Sequence, residues 1–168
     1  MESLISSLDS VAIRFPDFMV TETELRSAMS SVTPTTLVNW TAAIDDRRVP
    51  ATIGFFVELA RAGDQETYDP PQINSLTHET HSPLPDLALA QDKLLDELLQ
   101  LNANIAWALE HDKFRKPTLW LVRPGTFSEF VQLKLDEGSR NIGQVKIPAA
   151  LPKPEYVTWF SEQVVQEL

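Results

Sequence analysis

The apolar residues in the first third of the chain recur every three or four positions, as they do on the buried face of a helix. This spacing predicts helices over residues 4–13 and 22–29. A third helix is predicted to begin at Thr33, a good N-cap residue, with Pro34 in its first turn. Three apolar side chains would share its buried face: Leu37, Trp40 and Ile44. A fourth apolar segment ends at Gly63.

The second half of the chain contains two different periods. Over residues 86–112 the leucines keep the helical spacing and predict one long helix, whose apolar face is too broad to stay in water. Beyond it the period becomes two, which predicts two or three short antiparallel strands among residues 118–123, 130–135 and 142–147. A terminal helix is predicted from Pro154.

These elements predict an α+β fold that is mainly α. A helical, helix-turn-helix-like domain would cover residues 1–63. Residues 86–168 would hold the long central helix, a small antiparallel β-meander and a C-terminal helix. Between them, residues 64–85 lose all periodicity and are rich in proline, serine and threonine. A connection of that length is uncommon inside a compact domain, so we predict a linker there.

Charge and composition narrow the choice of function. The formal net charge is −10, from 14 basic and 24 acidic residues, which counts against non-specific attachment to nucleic acid or anionic lipid. The chain has no cysteine, so disulfides, thiolate metal sites and cysteine nucleophiles are excluded. It has neither an apolar run of about 20 residues nor a basic leader. We therefore expect a cytoplasmic protein that does not contact a membrane.

The segment over residues 22–50 carries the one pattern that points to an activity. A threonine–proline pair opens its apolar helix, and an Arg-Arg-Val-Pro run follows at residues 47–50. This order resembles the helix-turn-helix of MerR-like regulators and of excisionase-type modules. The resemblance implies that a small polar ridge faces the major groove and that two arginines meet phosphates. These residues are Thr35, Thr36, Asn39, Arg47 and Arg48.

The same segment departs from the MerR-like pattern in its charge. The predicted recognition helix contains no lysine or arginine, and the segment after Pro50 is apolar where a basic wing is expected. Over residues 22–66, four arginines stand against seven carboxylates, which is a poor match for a phosphate-lined groove. A capped helical hairpin that only packs against the rest of the protein is therefore a competing interpretation.

The long helix is the candidate dimerisation element. In MerR-like proteins a long helix follows the DNA-binding unit and forms the dimer, so the resemblance implies a homodimer. The apolar residues that would form its seam are Leu94, Leu98, Leu101, Ile105 and Leu109. Joining two weak half-sites would raise their effective concentration on DNA and offset the acidic charge in part.

Candidate chemistry is sparse in this chain. His78-Glu79-Thr80-His81 offers two imidazoles and a carboxylate, but it lies in the predicted linker, so a solvated segment explains it better than a metal site. The pair Asp45-Asp46 has no base or nucleophile assigned to it, and the sequence contains no glycine-rich phosphate loop. We therefore expect no enzyme activity, no metal and no cofactor.

Two functions stay open on these grounds. The first is a DNA-binding transcriptional repressor that acts as a homodimer on double-stranded DNA. The second is an acidic, non-enzymatic adaptor or assembly protein that binds another protein through its leucine-rich helix, a sheet edge or the linker. The polar ridge distinguishes the two, because DNA binding requires it to be exposed beside Arg47 and Arg48.

Overall fold

The computed structural model describes residues 11–32, 37–60, 84–138 and 145–168. Six strands and five helices lie within these ranges. In chain order they are β1 (Val11–Arg14), β2 (Met19–Thr21), α1 (Glu22–Val32), β3 (Leu37–Asp45), β4 (Thr52–Leu59), α2 (Leu84–Leu101), α3 (Ala103–Glu110), β5 (Thr118–Val122), α4 (Thr126–Asp136), α5 (Pro154–Ser161) and β6 (Val164–Glu167).

A mixed four-stranded sheet forms the centre of the fold. Its strand order is β3-β4-β5-β6, and β1 pairs with β2 in a separate hairpin. β4 pairs with β3 in antiparallel fashion and with β5 in parallel, while β6 is antiparallel to β5. Because β4 has a strand on each side and helices on both faces, all of its residues from Thr52 to Glu58 are buried.

Helices cover both faces of this sheet. One face packs against α1, α2 and α3, in a core that contains Phe55 and Leu94. The opposite face packs against α4 and α5, in a second core that contains Phe56, Phe130 and Phe160. The result is a three-layer α/β arrangement with one core on each side of the sheet.

The predicted fold class, mainly α with a helix-turn-helix-like unit, is wrong. Residues 37–45, predicted as a helix, form β3, and the apolar segment after them forms β4. A β-bulge between Leu37 and Asn39 resets the alternation of side chains, so Leu37 and Trp40 pack against the same core although they are three positions apart. Such a spacing is indistinguishable from one helical turn in the sequence.

A helix replaces the strand predicted over residues 130–135. Phe127 and Phe130 are both buried and lie one helical turn apart in α4. The helix follows Gly125, which has a left-handed conformation with φ 89°. The carboxylate of Glu58 accepts hydrogen bonds from the backbone N–H groups of Gly125 at 2.7 Å and of Phe127 at 3.0 Å. A carboxylate from β4 thus takes the place of an N-cap side chain.

Glu58→Ala is expected to lower the free energy of unfolding by about 2 kcal/mol, because two N–H groups at the start of α4 lose their acceptor. Urea unfolding followed by circular dichroism measures this difference. Glu110→Ala is the matched control: Glu110 is exposed at the end of α3, and we expect a change below about 0.5 kcal/mol. Equal effects of the two substitutions would show that the Glu58 cap does not stabilise the fold.

The long helix predicted over residues 86–112 is interrupted at Asn102. This residue leaves the helical conformation, with φ −139° and ψ 102°, so α2 ends before it and α3 begins after it. Its Oδ1 accepts a hydrogen bond from the N–H of Asn104 at 3.0 Å, and its Nδ2 donates to the carbonyl of Met19 at 2.9 Å. Asn102 therefore caps α3 and ties the helix pair to β2.

The remaining predicted elements have mixed outcomes. The helix over residues 22–29 is confirmed as α1, which begins with reciprocal hydrogen bonds between Thr21 and Glu24. The strand predicted from Thr118 is confirmed as β5, but the antiparallel meander predicted around it is wrong, because β5 pairs in parallel with β4. The terminal helix is confirmed up to Ser161, after which the chain turns into β6. The helix predicted over residues 4–13 is wrong at residues 11–13, which belong to β1, and the strand predicted over residues 142–147 is wrong at residues 145–147, which form no strand. Residues 4–10 and 142–144 lie outside the described residues.

The two predicted domains, residues 1–63 and 86–168, contribute strands to one sheet. β4 comes from the first and β5 from the second, and they pair directly. Most of the predicted linker, residues 64–85, lies outside the described residues. The position of the boundary therefore stays a prediction, while the described segments on its two sides share their cores.

Candidate functional site

The structure describes three of the five residues predicted to contact DNA. Thr35 and Thr36 lie outside the described residues. Asn39 is half-buried in β3, and Arg47 and Arg48 lie in the loop between β3 and β4. The individual contacts stay predictions. The recognition helix proposed for them does not exist at Asn39, because this segment is a strand.

The residues predicted to form a dimer seam lie mostly inside the chain's own core. Leu94, Leu98 and Ile105 are buried, and Leu109 packs against the same core. Leu101 alone of the five is exposed, at 40%. The broad apolar face of α2 and α3 is therefore covered by the sheet and by α1, so it does not require a second copy of the chain.

A buried carboxylate lies at the end of β3. Asp45 is 1% exposed. Its Oδ2 accepts hydrogen bonds from Thr118 Oγ1 at 2.6 Å and from Arg115 Nη2 at 2.8 Å. Its Oδ1 accepts one from Arg47 Nε at 2.8 Å. Asp45 thus joins the end of β3 to the start of β5 and to the loop after β3.

The surroundings of Asp45 keep its carboxyl group ionised. Burial alone would raise its pKa, because a buried charge loses its hydration. Hydrogen bonds from Arg47, Thr118 and Arg115 outweigh burial and hold the pKa of Asp45 well below its usual range. The same contact with Asp45 raises the pKa of Arg47. Asp45 is therefore a fixed negative charge and is unsuited to exchanging protons near neutral pH.

Arg47 connects Asp45 to the last strand of the sheet. Its Nη1 and Nη2 donate to the two carboxylate oxygens of Glu167 at 2.8 and 2.9 Å, and these hydrogen bonds lower the pKa of Glu167. The guanidinium carbon of Arg47 lies 5.0 Å from the centre of the Trp120 ring. Trp120 Nε1 in turn donates to Glu167 Oε2 at 3.2 Å. We call Asp45, Arg47, Trp120 and Glu167 the Arg47 clasp.

A groove of 460 Å³ opens beside the Arg47 clasp. Besides the clasp, its lining consists of Ile44, Asp46, Val157, Ser161 and Val164. A second groove of 530 Å³ adjoins it and shares Ile44, Asp46 and Val157 with it. Arg14 and Lys153 line this second groove. Together the two grooves form the candidate functional surface, because they combine apolar walls with a few charged groups.

Sequence reasoning missed the Arg47 clasp because its members are distant in the chain. It assigned Arg47 to phosphate contact and placed Trp120 only within the strand predicted over residues 118–123. The available local signal was weak: an acidic residue two positions before an arginine at the end of an apolar segment. Only the pairing of β5 with β4 and β6 brings Trp120 and Glu167 to this arginine.

Some expected features can be checked only within the described ranges. There, no cluster of three or more histidine, aspartate or glutamate side chains has the arrangement of a metal site. The segment His78-Glu79-Thr80-His81 is outside those ranges. Within residues 11–32, 84–138 and 145–168, none of the helices has the length and apolar character needed to cross a bilayer.

The fold places this protein among α/β domains with a mixed sheet between two helical layers. The sequence model of the GH3 family C-terminal domain matches residues 21–155. The chain therefore belongs to the GH3 family and corresponds to its C-terminal domain.

Solved structures share this fold. A GH3.15 acyl acid amido synthetase superposes on 94% of the chain with a TM-score of 0.72 at 18% identity. AtGH3.15 acyl acid amido synthetase in complex with 2,4-DB superposes on 95% with a TM-score of 0.73 at 17% identity. The chain spans about a quarter of each of these proteins, 27% and 26% of their lengths. No curated protein matches the chain.

The family assignment corrects the function predicted from the sequence. The chain is a GH3 domain and not a MerR-like regulator, so the predictions of double-stranded DNA and a homodimer as its partners, and of transcriptional repression, are wrong. The alternative of an acidic adaptor has no support either. The prediction of no enzyme activity is also contradicted, because the match to the GH3 family C-terminal domain, together with solved structures of this fold that are named acyl acid amido synthetases, indicates an enzyme-related protein.

Proposed function

We propose that this chain is the C-terminal module of an acyl acid amido synthetase, which joins the carboxyl group of an acyl acid to an amine and acts in the cytoplasm. The observation that carries the proposal is the match of the GH3 C-terminal domain to residues 21–155. Its agreement with the fold of named synthetases over 94% of the chain supports the same function.

The chemistry of the described residues favours an accessory role for this module. Amide formation from a carboxylate requires an activated acyl group and a base that accepts a proton from the amine. The buried Asp45 is held ionised by its partners, and Glu58 caps α4. Neither group is free to act on a substrate. We therefore propose that other parts of the synthetase supply the acyl-binding site and that this module packs against them.

The test is an activity assay on the assembly that contains the chain. The chain is expressed with an affinity tag in its native host and purified under mild conditions. The product is then mixed with a nucleoside triphosphate, a panel of acyl acids and hydroxylamine, a general stand-in for the amine. Mass spectrometry is expected to detect acyl hydroxamates above the level of a mock purification.

Two controls make this assay decisive. The chain produced alone in an unrelated host is expected to form no hydroxamate, because the remaining parts of the synthetase are missing. A tagged Gly54→Ala chain, which is expected to fold poorly, should yield little active assembly. Equal hydroxamate yields from the mock purification and the tagged chain would contradict the proposal.

A further inference from the structure

We infer that the groove beside the Arg47 clasp binds a small aromatic amine whose ring stacks on the guanidinium of Arg47. This inference does not depend on the proposed synthetase function, since it rests on the geometry of the groove alone. The open groove has a volume of 460 Å³, which lies within the range of small-molecule sites, about 300 to 1,000 Å³.

The guanidinium of Arg47 presents one free face. Four of its hydrogen bonds to side chains run within its plane, two to Asp45 and two to Glu167. One face lies over the ring of Trp120. The side chain nevertheless stays 53% exposed. Because four of its N–H···O hydrogen bonds are already made and one face lies over Trp120, we take the opposite face as the part of Arg47 that a ligand in the groove contacts.

A planar ring is the group that fits against the guanidinium of Arg47. A guanidinium whose hydrogen bonds are already made attracts an aromatic face by cation–π and stacking interactions, and an aliphatic chain gains neither. The walls are also suited to a ring, since Ile44, Val157 and Val164 supply apolar surface on either side. Ile44 is 40% exposed, which leaves its side chain available for contact.

The charges of the groove favour an amine over an acid. Of the three carboxylates that line it, Asp45 and Glu167 are both hydrogen-bonded to Arg47, so Asp46 is the carboxylate that a ligand can reach. Asp46 is exposed and makes no hydrogen bond or ion pair with the described residues. Ser161 Oγ donates to the carbonyl of Val157 at 2.7 Å, so its lone pairs stay available to accept from an ammonium group. An aromatic carboxylate would meet repulsion at the same position.

The experiment is a ligand titration of the full 168-residue chain followed by NMR. The probe is 2-phenylethylamine, and the signals are the Nε1–H of Trp120 and the Nε–H of Arg47. Both are expected to shift in a saturable manner. Two matched compounds isolate the two parts of the ligand: 2-cyclohexylethylamine keeps the amine without the aromatic ring, and phenylacetate keeps the ring with the opposite charge. Each is expected to bind about tenfold more weakly.

Two variants assign the interaction to its residues. Arg47→Lys keeps the cation and removes the planar face, so the preference for the phenyl over the cyclohexyl compound is expected to disappear. Asp46→Asn leaves the Arg47 clasp intact and is expected to weaken binding of 2-phenylethylamine several-fold. Because Asp46 is exposed, this second variant tests the site even if Arg47→Lys does not fold.

The inference is overturned by any of three results. If neither NMR signal shifts up to the solubility limit of 2-phenylethylamine, the groove does not bind an aromatic amine. Equal affinity for 2-cyclohexylethylamine would show that the Arg47 face is not used. Tighter binding of phenylacetate would assign the groove to acids.

Discussion

Gly54→Ala is expected to lower the free energy of unfolding by about 3 kcal/mol, which urea unfolding monitored by circular dichroism measures. A Cβ atom on Gly54 would overlap Cζ3 and Cη2 of the Trp120 ring and would lie 2.9 Å from its Cε3. The ring has little room to retreat. Phe56 packs against it with ring centres 4.4 Å apart, and Arg47 covers it. In a close-packed interior even one additional methyl group causes steric strain.

The matched control for Gly54→Ala is the same substitution in a Trp120→Leu background. Removing the indole opens the space that the new methyl group needs, so Gly54→Ala is expected to cost less than about 1 kcal/mol there. The difference between the two backgrounds isolates the contact with Trp120 from any effect of alanine on β4 itself. Equal costs in both backgrounds would show that the close approach of the ring is not the reason for glycine at this position.

The close approach at Gly54 also supports the candidate site. The parallel register pairs Phe56 with Trp120, so the indole extends over the part of β4 that precedes Phe56. Only a residue without a side chain leaves room for the ring there. With the ring in this position, the guanidinium of Arg47 lies over its face. Gly54 in the central strand therefore makes room for the Trp120 ring, and the ring in turn supports Arg47 in the groove.

The sequence predicts elements best where caps mark their ends. α1 follows a threonine with a glutamate three positions later, and α5 begins with proline, so both begin close to where the sequence predicts. The prediction of β5 succeeded because the spacing of apolar residues changes from helical to alternating just before this strand. These signals are local, since the residues that produce them lie within one or two turns of each other.

The two main errors have one physical cause. β3 and α4 are short apolar segments whose spacing fits both a helix and a strand, and the choice between the two is made by distant residues. β3 is a strand because β4 pairs with it along its length. α4 is a helix because Glu58, from β4, caps it and Phe160, from α5, packs near its phenylalanines. Neither partner is identifiable from local sequence.

The candidate site was less accessible to sequence reasoning than the fold. Asp45 and Arg47 are neighbours in the chain, and a charged pair at the end of a strand is a common surface feature. The burial of Asp45 depends on Arg115 and Thr118, which are about 70 residues away in sequence. They reach Asp45 only through the parallel pairing of β4 and β5. A resemblance that covers residues 22–50 alone has no information about this pairing.

Asp45→Asn is expected to lower the free energy of unfolding by about 3 kcal/mol at pH 7. The substitution keeps the shape of the side chain but removes the charge that faces Arg47 and Arg115. The guanidinium of Arg115, whose side chain is only 24% exposed, would then lose its carboxylate partner. Asp46→Asn is the matched control, because Asp46 is adjacent and exposed, and it should change stability by less than about 0.5 kcal/mol.

The pH dependence of the Asp45→Asn effect separates the charge from the shape of the side chain. Because the pKa of Asp45 in the folded protein lies below the unfolded value of about 3.9, the unfolded chain binds the proton first as the pH falls. The stabilisation is therefore fully present above about pH 5 and declines below it. Between pH 5 and pH 3 the difference between wild type and Asp45→Asn should shrink by about 1 kcal/mol.

Glu167, whose pKa is also lowered, is present in both proteins, so most of its titration cancels in the difference between wild type and Asp45→Asn. Urea unfolding at pH 7, 5 and 3 measures this difference directly. A difference that stays constant across this range would mean that Asp45 stabilises the fold through the shape of its side chain. If the difference in stability between wild type and Asp45→Asn grows towards pH 3, the pKa of Asp45 is not lowered in the folded protein. The expected narrowing would identify the ionised carboxylate as the group that holds Arg47 and Arg115 in place.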